Sequence, residues 1–271
     1  MDSAVTLLKS GDLGGCLASL QAEVRAKPQD AKLRIFLFQL LCVLGDWKRA
    51  VTQLKLCAEL DPTATSMAQT YREAIICEVY REKVFSGEKQ PLVFGEPQEW
   101  TALLLNALKL LAEGREAEAA MLRDKAFDLA PAAAGTLNET AFEWIADADT
   151  RFGPLLEIIV NGKYYWLPFT AIAEIRADPP SDLRDAVWTA VNLTLANGGE
   201  VVGLIPSRYP GTIQAGNALQ KLARATDWTE TPGGWFFGLG QRVFATDAGE
   251  VALFDMRRLT ISPQHGGASD G

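Results

Sequence analysis

Residues 31–62 read AKLRIFLFQLLCVLGDWKRAVTQLKLCAELDP, and this stretch decides the fold of the first half of the chain. An apolar helix runs into Gly45, where the chain must reverse; a left-handed conformation costs glycine little there. Asp46-Trp47 then opens a second helix. Ala50 is small where the two helices cross closely, Leu54 and Cys57 continue a buried stripe at helical spacing, and Pro62 stops the run. The segment is expected to fold as one α-hairpin.

Working outward, the same signs recur. Gly11-Asp12-Leu13, Cys16, Leu20 and Pro28 each lie 34 residues before Gly45-Asp46-Trp47, Ala50, Leu54 and Pro62. That is the tetratricopeptide period. A weaker copy carries Gly114, Ala119, Ala126 and Pro131 with the same Gly-to-Pro spacing. Three hairpins are expected, over 1–28, 31–62 and 100–130, with a separate helix over Met67–Phe85 and a loop over Gly87–Pro97. Stacked hairpins leave a concave face lined by their first helices. By period that face receives Val5 and Leu8, then Ile35, Gln39 and Cys42, then Leu104, Leu108 and Leu111. An apolar groove of helices suits an amphipathic partner helix. The competing reading is that these residues are core covered by the Met67–Phe85 helix.

From about Pro154 the pattern alternates. Leu155–Val160 and Lys163–Leu167 flank Asn161-Gly162, a favoured hairpin turn. Ala171–Ala177 reads as a third strand. Val187–Leu195 and Val201–Ile205 flank Asn197-Gly198-Gly199, and Arg242–Thr246 and Val251–Asp255 flank 247–250. Gly216–Ala225 reads as a short helix, and Gly233–Gly240 as a tight loop packing aromatic rings. The fold class is therefore multidomain α+β: a tetratricopeptide-like α-hairpin array over 1–150, then a small, mostly antiparallel, partly closed barrel-like α+β domain over 151–262. A disordered tail is expected over 263–271.

The balance of 26 basic and 34 acidic residues, net −8, is spread over both halves without a basic run. Phosphate backbones need clustered Lys and Arg, so nucleic acid is not expected as a partner. The longest apolar run, Ile35–Leu44, is about half the roughly 20 residues a membrane span needs. Met1-Asp2-Ser3 lacks the flank of a signal peptide, which makes the cytoplasm the expected compartment. Cys16, Cys42, Cys57 and Cys77 form no C-x-x-C pair and are expected as buried thiols. The single histidine, His265, sits in the expected tail. No nucleophile–His pair, His-bearing metal cluster, four-thiol site or phosphate loop is legible, so no catalytic residue, metal or cofactor is expected. Glu143, Asp147 and Asp149 could be general acid and base or a divalent-ion site, but Arg151 beside them favours structural ion pairs. Arg208, in the Arg208-Tyr209-Pro210-Gly211 turn, is expected to pair with one of these aspartates.

Ordered motifs across the chain carry a family resemblance. They are Leu37-Phe38-Gln39-Leu40-Leu41 running into Gly45–Ala50; Leu60-Asp61-Pro62; Tyr71-Arg72 with Glu78 and Arg81; Gly95-Glu96-Pro97 before Trp100; and Phe142–Asp149, containing Trp144, before Arg151 and Gly153-Pro154. The later ones are Tyr165-Trp166 before Pro168-Phe169; Asp182-Leu183-Arg184-Asp185 before Trp188; Ile205-Pro206 before Arg208–Gly211; and Gly238-Leu239-Gly240-Gln241-Arg242. With them the chain resembles the ImpE family, also called SciE or TagJ, accessory to type VI secretion clusters of Gram-negative bacteria. The resemblance implies a cytoplasmic, non-enzymatic adaptor. Its implied partners are the N-terminal helix of the small sheath subunit (TssB-like) and a ClpV-like ATPase that disassembles the contractile sheath. It carries no catalytic residue. Its motif cluster, structural or binding, comprises Trp144, Asp147, Asp149, Arg151, Trp166, Asp182, Arg184, Trp188, Arg208, Tyr209, Gln241 and Arg242. The alternative is a small-molecule-sensing or enzymatic second domain built on Asp147, Asp149, Arg151 and Arg208.

Overall fold

A computed structural model describes residues 2–95 and 98–263. Glu96 and Pro97, and the expected tail beyond Pro263 with His265, lie outside the described residues. The helices fall where the period places them. They are α1 (Asp2–Ser10), α2 (Leu13–Ala26), α3 (Ala31–Leu44), α4 (Trp47–Leu60), α5 (Thr65–Phe85), α6 (Glu99–Ala112) and α7 (Glu116–Leu129). Gly11, Gly45 and Gly114, which end the first helix of each hairpin, all have positive φ, 82°, 74° and 77°. Asp12 and Asp46 cap the helices that follow by accepting from the amides of Gly15 (2.8 Å) and Arg49 (3.2 Å). The third copy has Arg115 at that position and no side-chain cap, which is why its sequence signal is weaker. All four cysteines are buried free thiols.

The strands are β1 (Leu92–Val93), β2 (Gly135–Leu137), β3 (Thr140–Phe142), β4 (Ile145–Asp147), β5 (Leu155–Val160), β6 (Lys163–Pro168), β7 (Ile172–Ala177), β8 (Trp188–Leu195) and β9 (Glu200–Pro206). After two four-residue helices, α8 (Thr212–Ala215) and α9 (Ala218–Lys221), come β10 (Thr226–Glu230), β11 (Phe236–Gly240), β12 (Val243–Thr246), β13 (Gly249–Ala252) and β14 (Arg258–Ile261). Among the described residues one sheet has nine strands in the order β1-β6-β5-β9-β8-β7-β14-β2-β3. It is antiparallel throughout except for the parallel β1–β6 pair. Strands β13-β12-β4 and β10-β11 form smaller sheets.

Four expectations are corrected here. The sheet is open, with β1 and β3 at its edges, rather than partly closed into a barrel. Both faces are covered around β5, whereas over β7 and β8 one face, carrying Arg176, Ala190 and Asn192, is exposed, as an antiparallel sheet allows. Helical structure in the expected 1–150 unit stops at Leu129, and residues 135–147 supply β2, β3 and β4 to sheets shared with later strands. Strands this short show no measurable alternation. Within the expected loop over 87–97, Leu92 and Val93 pair with Tyr165 and Trp166. The expected Gly233–Gly240 loop is mostly strand β11, whose partner β10, TDWTE, is too polar and exposed to read as a strand.

Strand β5 shows how the layers stack. It is buried from end to end. Leu155 and Ile159 join the cluster that contains the helical array, while Leu156, Ile158 and Val160 join a second cluster with Phe244, Leu253, Met256 and Leu259. Alternation thus sends odd positions toward the helices and even positions away from them. Aromatic rings seal the first seam: Trp188 against Trp47 (6.1 Å) and Tyr71 (5.6 Å), and Phe152 against Phe85 (5.5 Å) and Trp166 (5.3 Å).

Gly45 sits at this seam, and a Cβ there would meet Ile213 Cγ2 at 2.4 Å, while Gly114 has nothing within 4 Å. Gly45→Ala, combining clash and positive φ, is expected to cost about 2–3 kcal/mol, and Gly114→Ala about 1 kcal/mol from backbone strain alone. Urea midpoints of the two variants compare the effects directly.

Candidate functional site

On the helix-facing side of β5, between Leu155 and Ile159, stands Glu157, fully buried. It is the hub of an ionic network joining the array to the sheets. Arg81, on the inner face of α5, donates from Nε (2.5 Å) and Nη2 (2.7 Å) to its two oxygens. Arg242, leading into β12, donates to Glu157 from one Nη and to Asp147 from the other, and its Nε bonds the Pro206 carbonyl at 3.1 Å. The Tyr164 hydroxyl donates to Glu157 and accepts from Trp166 Nε1 at 2.7 Å. Rings of Phe152 and Tyr209 flank the Arg242 guanidinium at 4.9 and 5.2 Å.

Asp147 accepts from Tyr209 Oη (2.9 Å) and the Asp149 amide (2.9 Å) as well as from Arg242. Asp149 holds Arg151 through its Nε at 2.8 Å and takes the Gly238 amide at 2.8 Å. The Arg151 guanidinium in turn lies 5.4 and 4.9 Å from the centres of the Phe85 and Phe237 rings. A Cβ at Gly238 would meet Tyr209 Cδ2 at 2.1 Å, so only glycine lets β11 lie on that ring. Glu78, one turn before Arg81, accepts from Trp188 Nε1 at 3.2 Å.

Arg208 corrects an expectation. Its guanidinium reaches no carboxylate within ion-pair distance among the described residues; it donates to the carbonyls of Val43 (2.8 Å), Lys221 (2.8 Å) and Cys42 (3.4 Å). The last carbonyls of a helix lack intrahelical partners and carry the negative end of its dipole, so a cation there caps α3. Burial lowers the Arg208 pKa to about 10, with the Glu78 charge pulling the other way.

The remaining motif residues divide. Trp166, Trp188, Asp147, Asp149, Arg151, Tyr209 and Arg242 converge on the network. Gln241 lies beside it, tying the Ala223 carbonyl (2.8 Å) to the Phe254 amide (2.9 Å). Asp182 and Arg184 pair with each other at a separate point, under Tyr71, whose ring centre is 4.8 Å from Arg184. Trp144 stands apart, 42% exposed. Glu78, Arg81, Glu157 and Tyr164 belong to the site but are absent from the cluster drawn from sequence. The signal for them is a single glutamate inside an otherwise apolar strand, and an i,i+3 Glu–Arg pair on the inner face of α5.

Of the expected groove residues, Gln39, Cys42, Leu104 and Leu108 are buried, and Val5, Leu8, Ile35 and Leu111 half-buried. The chain's own second half covers part of the array. Arg208 caps α3, Ile213 lies on Gly45, and Arg224 reaches the Leu8 and Lys9 carbonyls of α1. The open groove is thereby corrected at its buried positions, where the side chains are core.

Four carboxylates (Glu78, Asp147, Asp149, Glu157) thus meet three guanidiniums (Arg81, Arg151, Arg242), with Arg208 nearby on backbone carbonyls. Burial raises the Glu78 pKa. It also raises that of Asp147, to about 6, with the Arg242 charge opposing. For Glu157 burial pushes up, but Arg81 and Arg242 outweigh it and hold the carboxyl below its ordinary value. The acids are occupied as acceptors, which suits coupling of layers better than proton transfer. No group of three or more His, Cys, Asp or Glu with metal-binding geometry occurs among the described residues, and no described helix is long and apolar enough to cross a membrane. A cleft of about 270 Å³ opens between α5 and the 208–214 segment, bordered by Glu78, Arg81, Arg208 and Tyr209 but not by Asp147, Asp149 or Arg151.

Residues 139–260 match the family model described as "ImpE protein". A curated relative from Pseudomonas aeruginosa, described as type VI secretion system accessory component TagJ, is 51% identical over 260 residues, covering 96% of this chain and 91% of that protein. A crystal structure of a Vibrio parahaemolyticus protein superposes with a TM-score of 0.87 at 25% identity, covering 96% of this chain and 97% of the other.

Removing Arg242 takes from buried Asp147 its only arginine and from Glu157 one of two, so Arg242→Met is expected to cost about 3–5 kcal/mol in chemical denaturation. Asp147 binds its proton more tightly in the folded chain (about 6) than its ordinary value of 3.8. Its contribution to stability therefore falls as pH rises from 3.8 to 6, by about 3 kcal/mol in all. Glu157 acts oppositely, losing stabilisation as pH drops below 4.5. Asp147→Asn, neutral throughout, is expected to remove the loss between pH 4 and 6, read from denaturation midpoints across that range.

Proposed function

This chain belongs to the ImpE family, and on that premise we propose that it is a cytoplasmic, non-enzymatic adaptor of a type VI secretion system. It binds the small sheath subunit (TssB-like) through that subunit's N-terminal helix and modulates sheath disassembly by a ClpV-like ATPase. The observation that carries this reading is the 51% identity, over nearly the whole of both chains, to a relative described as a type VI secretion accessory component.

Two physical features support it. The 34-residue spacing and glycine-ended hairpins fit an array of tetratricopeptide type, an architecture whose surfaces serve protein binding. The buried acids that sequence offers as candidate catalysts are spent on one another's arginine partners, which supports a scaffold.

Pull-down with the full-length small sheath subunit is expected to capture it, and deletion of that subunit's first helix is expected to abolish capture. Equal capture of both forms removes helix recognition from the reading. Capture of neither removes the partner.

A further inference from the structure

The glycine-rich stretch Gly233–Gly240 holds a contact that the ionic network does not use. Among the described residues β10 and β11 pair only with each other, with Glu230 opposite Phe236, so residues 231–235 form the turn at their tip. That turn rests on the third hairpin. Trp235, fully buried, packs in a slot made by Ala107 of α6 and Ala119 and Ala120 of α7. Alanines there leave the space an indole needs. The Arg123 guanidinium covers the ring at 4.5 Å and donates to the carbonyls of Gly234 (2.9 Å) and Gly233 (3.2 Å). Glu116 accepts from the Thr231 hydroxyl and from the Gly233 amide (3.1 Å). A Cβ at Gly233 would meet Glu116 Oε1 at 2.8 Å, so glycine permits this close approach.

This contact is built like a bound ligand and not like core. The slot is a cluster of its own, apart from the two large clusters that the central sheet separates. The turn satisfies its backbone internally: Thr231 N–H donates to the Trp235 carbonyl (3.0 Å) and Gly234 N–H to the Thr231 carbonyl (2.9 Å), so these bonds survive when it lifts off. Its hydrogen bonds to α7 end on two side chains, Glu116 and Arg123. Glu116 is half-buried, and Arg123 keeps Asp124 through Nε (2.9 Å), so neither is stranded when the turn leaves. The buried Trp235 Nε1 has no hydrogen-bond partner, which weakens the closed state. Residues 227–230 of β10 are exposed, and a two-stranded hairpin with little packing is marginally stable by itself. The base is firm by contrast. The Thr150 amide donates to the Phe236 carbonyl (3.1 Å), the Phe236 amide to the Thr150 hydroxyl (2.9 Å), and Gly238 to Asp149.

We infer that residues 231–235 are a releasable clasp, the tethered occupant of an aromatic slot on the third hairpin. The clasp opens about its base at Phe236 while the ionic network and the aromatic seam stay closed. Opening frees a slot fitted to a tryptophan that follows a glycine turn: the alanines take the indole, Arg123 stacks on it and binds two carbonyls, and Glu116 binds a hydroxyl and an amide. The tether holds the turn near the slot at an effective concentration of about millimolar, so a competing turn supplied in trans is largely excluded while the native one is intact. The clasp acts within the chain and needs no sheath partner.

The test uses the full chain and a labelled peptide of residues 229–237. Trp235→Ala vacates the slot, and this variant is expected to bind the peptide saturably in fluorescence anisotropy. A peptide with alanine in place of its tryptophan is expected not to bind. The wild-type chain is expected to bind at least about tenfold more weakly than the variant, because its own turn competes. In the wild-type chain, NMR-detected exchange of the Trp235 indole N–H is expected to be at least about a hundredfold faster than that of Trp166 and Trp188, and nearly independent of urea, as local opening is. Those two indoles lie in the aromatic seam and donate to Tyr164 (2.7 Å) and Glu78 (3.2 Å). Glu116→Gln is expected to speed exchange at Trp235 several-fold and to leave Trp166 unchanged. A Trp235→Ala chain that is folded by circular dichroism yet ignores the peptide, or binds both peptides alike, overturns the clasp. If that variant does not fold, the exchange measurement decides: a Trp235 indole that exchanges at the rate and urea dependence of Trp166 is core, and overturns it equally.

Discussion

Everything in this molecule is arranged around one carboxylate. Glu157 lies in the middle of the central sheet, on the face that meets the helices, where an unpaired charge is prohibitively costly. It is neutralised from two directions, by Arg81 from the helical array and by Arg242 from the far side of the β region. Neither arginine alone satisfies both the charge and the lone pairs. The helices and the sheet therefore cannot separate without exposing Glu157, and the aromatic seam of Trp47, Tyr71, Trp188, Phe85 and Phe152 adds apolar area to the same joint. A buried ion pair is weak evidence of net stability against an apolar replacement, but it enforces a particular docking.

That joint explains what could and could not be read from the sequence. The helical hairpins were legible because the cues that define them are local: Gly45 divides and Pro62 ends a helix pair that lies within residues 31–62, and Asp46 caps the second helix with its own side chain. The Asn161-Gly162 and Asn197–Gly199 hairpins were legible for the same reason, since two strands and their turn lie in one stretch of chain. Strands β2 to β4 were not, because three residues show no period; β2 and β3 form a hairpin too short to read, and the partners that place them and β4 in sheets, β14 and β12, lie about a hundred residues or more away. Polar, exposed β10 had no apolar face to betray it.

The site was half legible. Asp147, Asp149 and Arg151 stood out as a string of charged residues, while Tyr209 and Arg242 entered only with the family motifs. Their connections did not. Arg208 was matched to a carboxylate on chemical type, whereas its partners are the backbone carbonyls that end α3, which carry no side-chain signature at all. Gln39, Cys42, Leu104 and Leu108 had the period of a groove and of a core alike; only the position of the second half of the chain tells the two apart.

The last strand has a mechanical consequence. β14 lies inside the nine-stranded sheet, hydrogen-bonded on one side to β7 and on the other to β2. Tension applied to the chain beyond Ile261 loads two ladders together, so the end does not peel away as an edge strand would. Both neighbours belong to the layer that Glu157 anchors. A fold built this way resists being drawn out from that end.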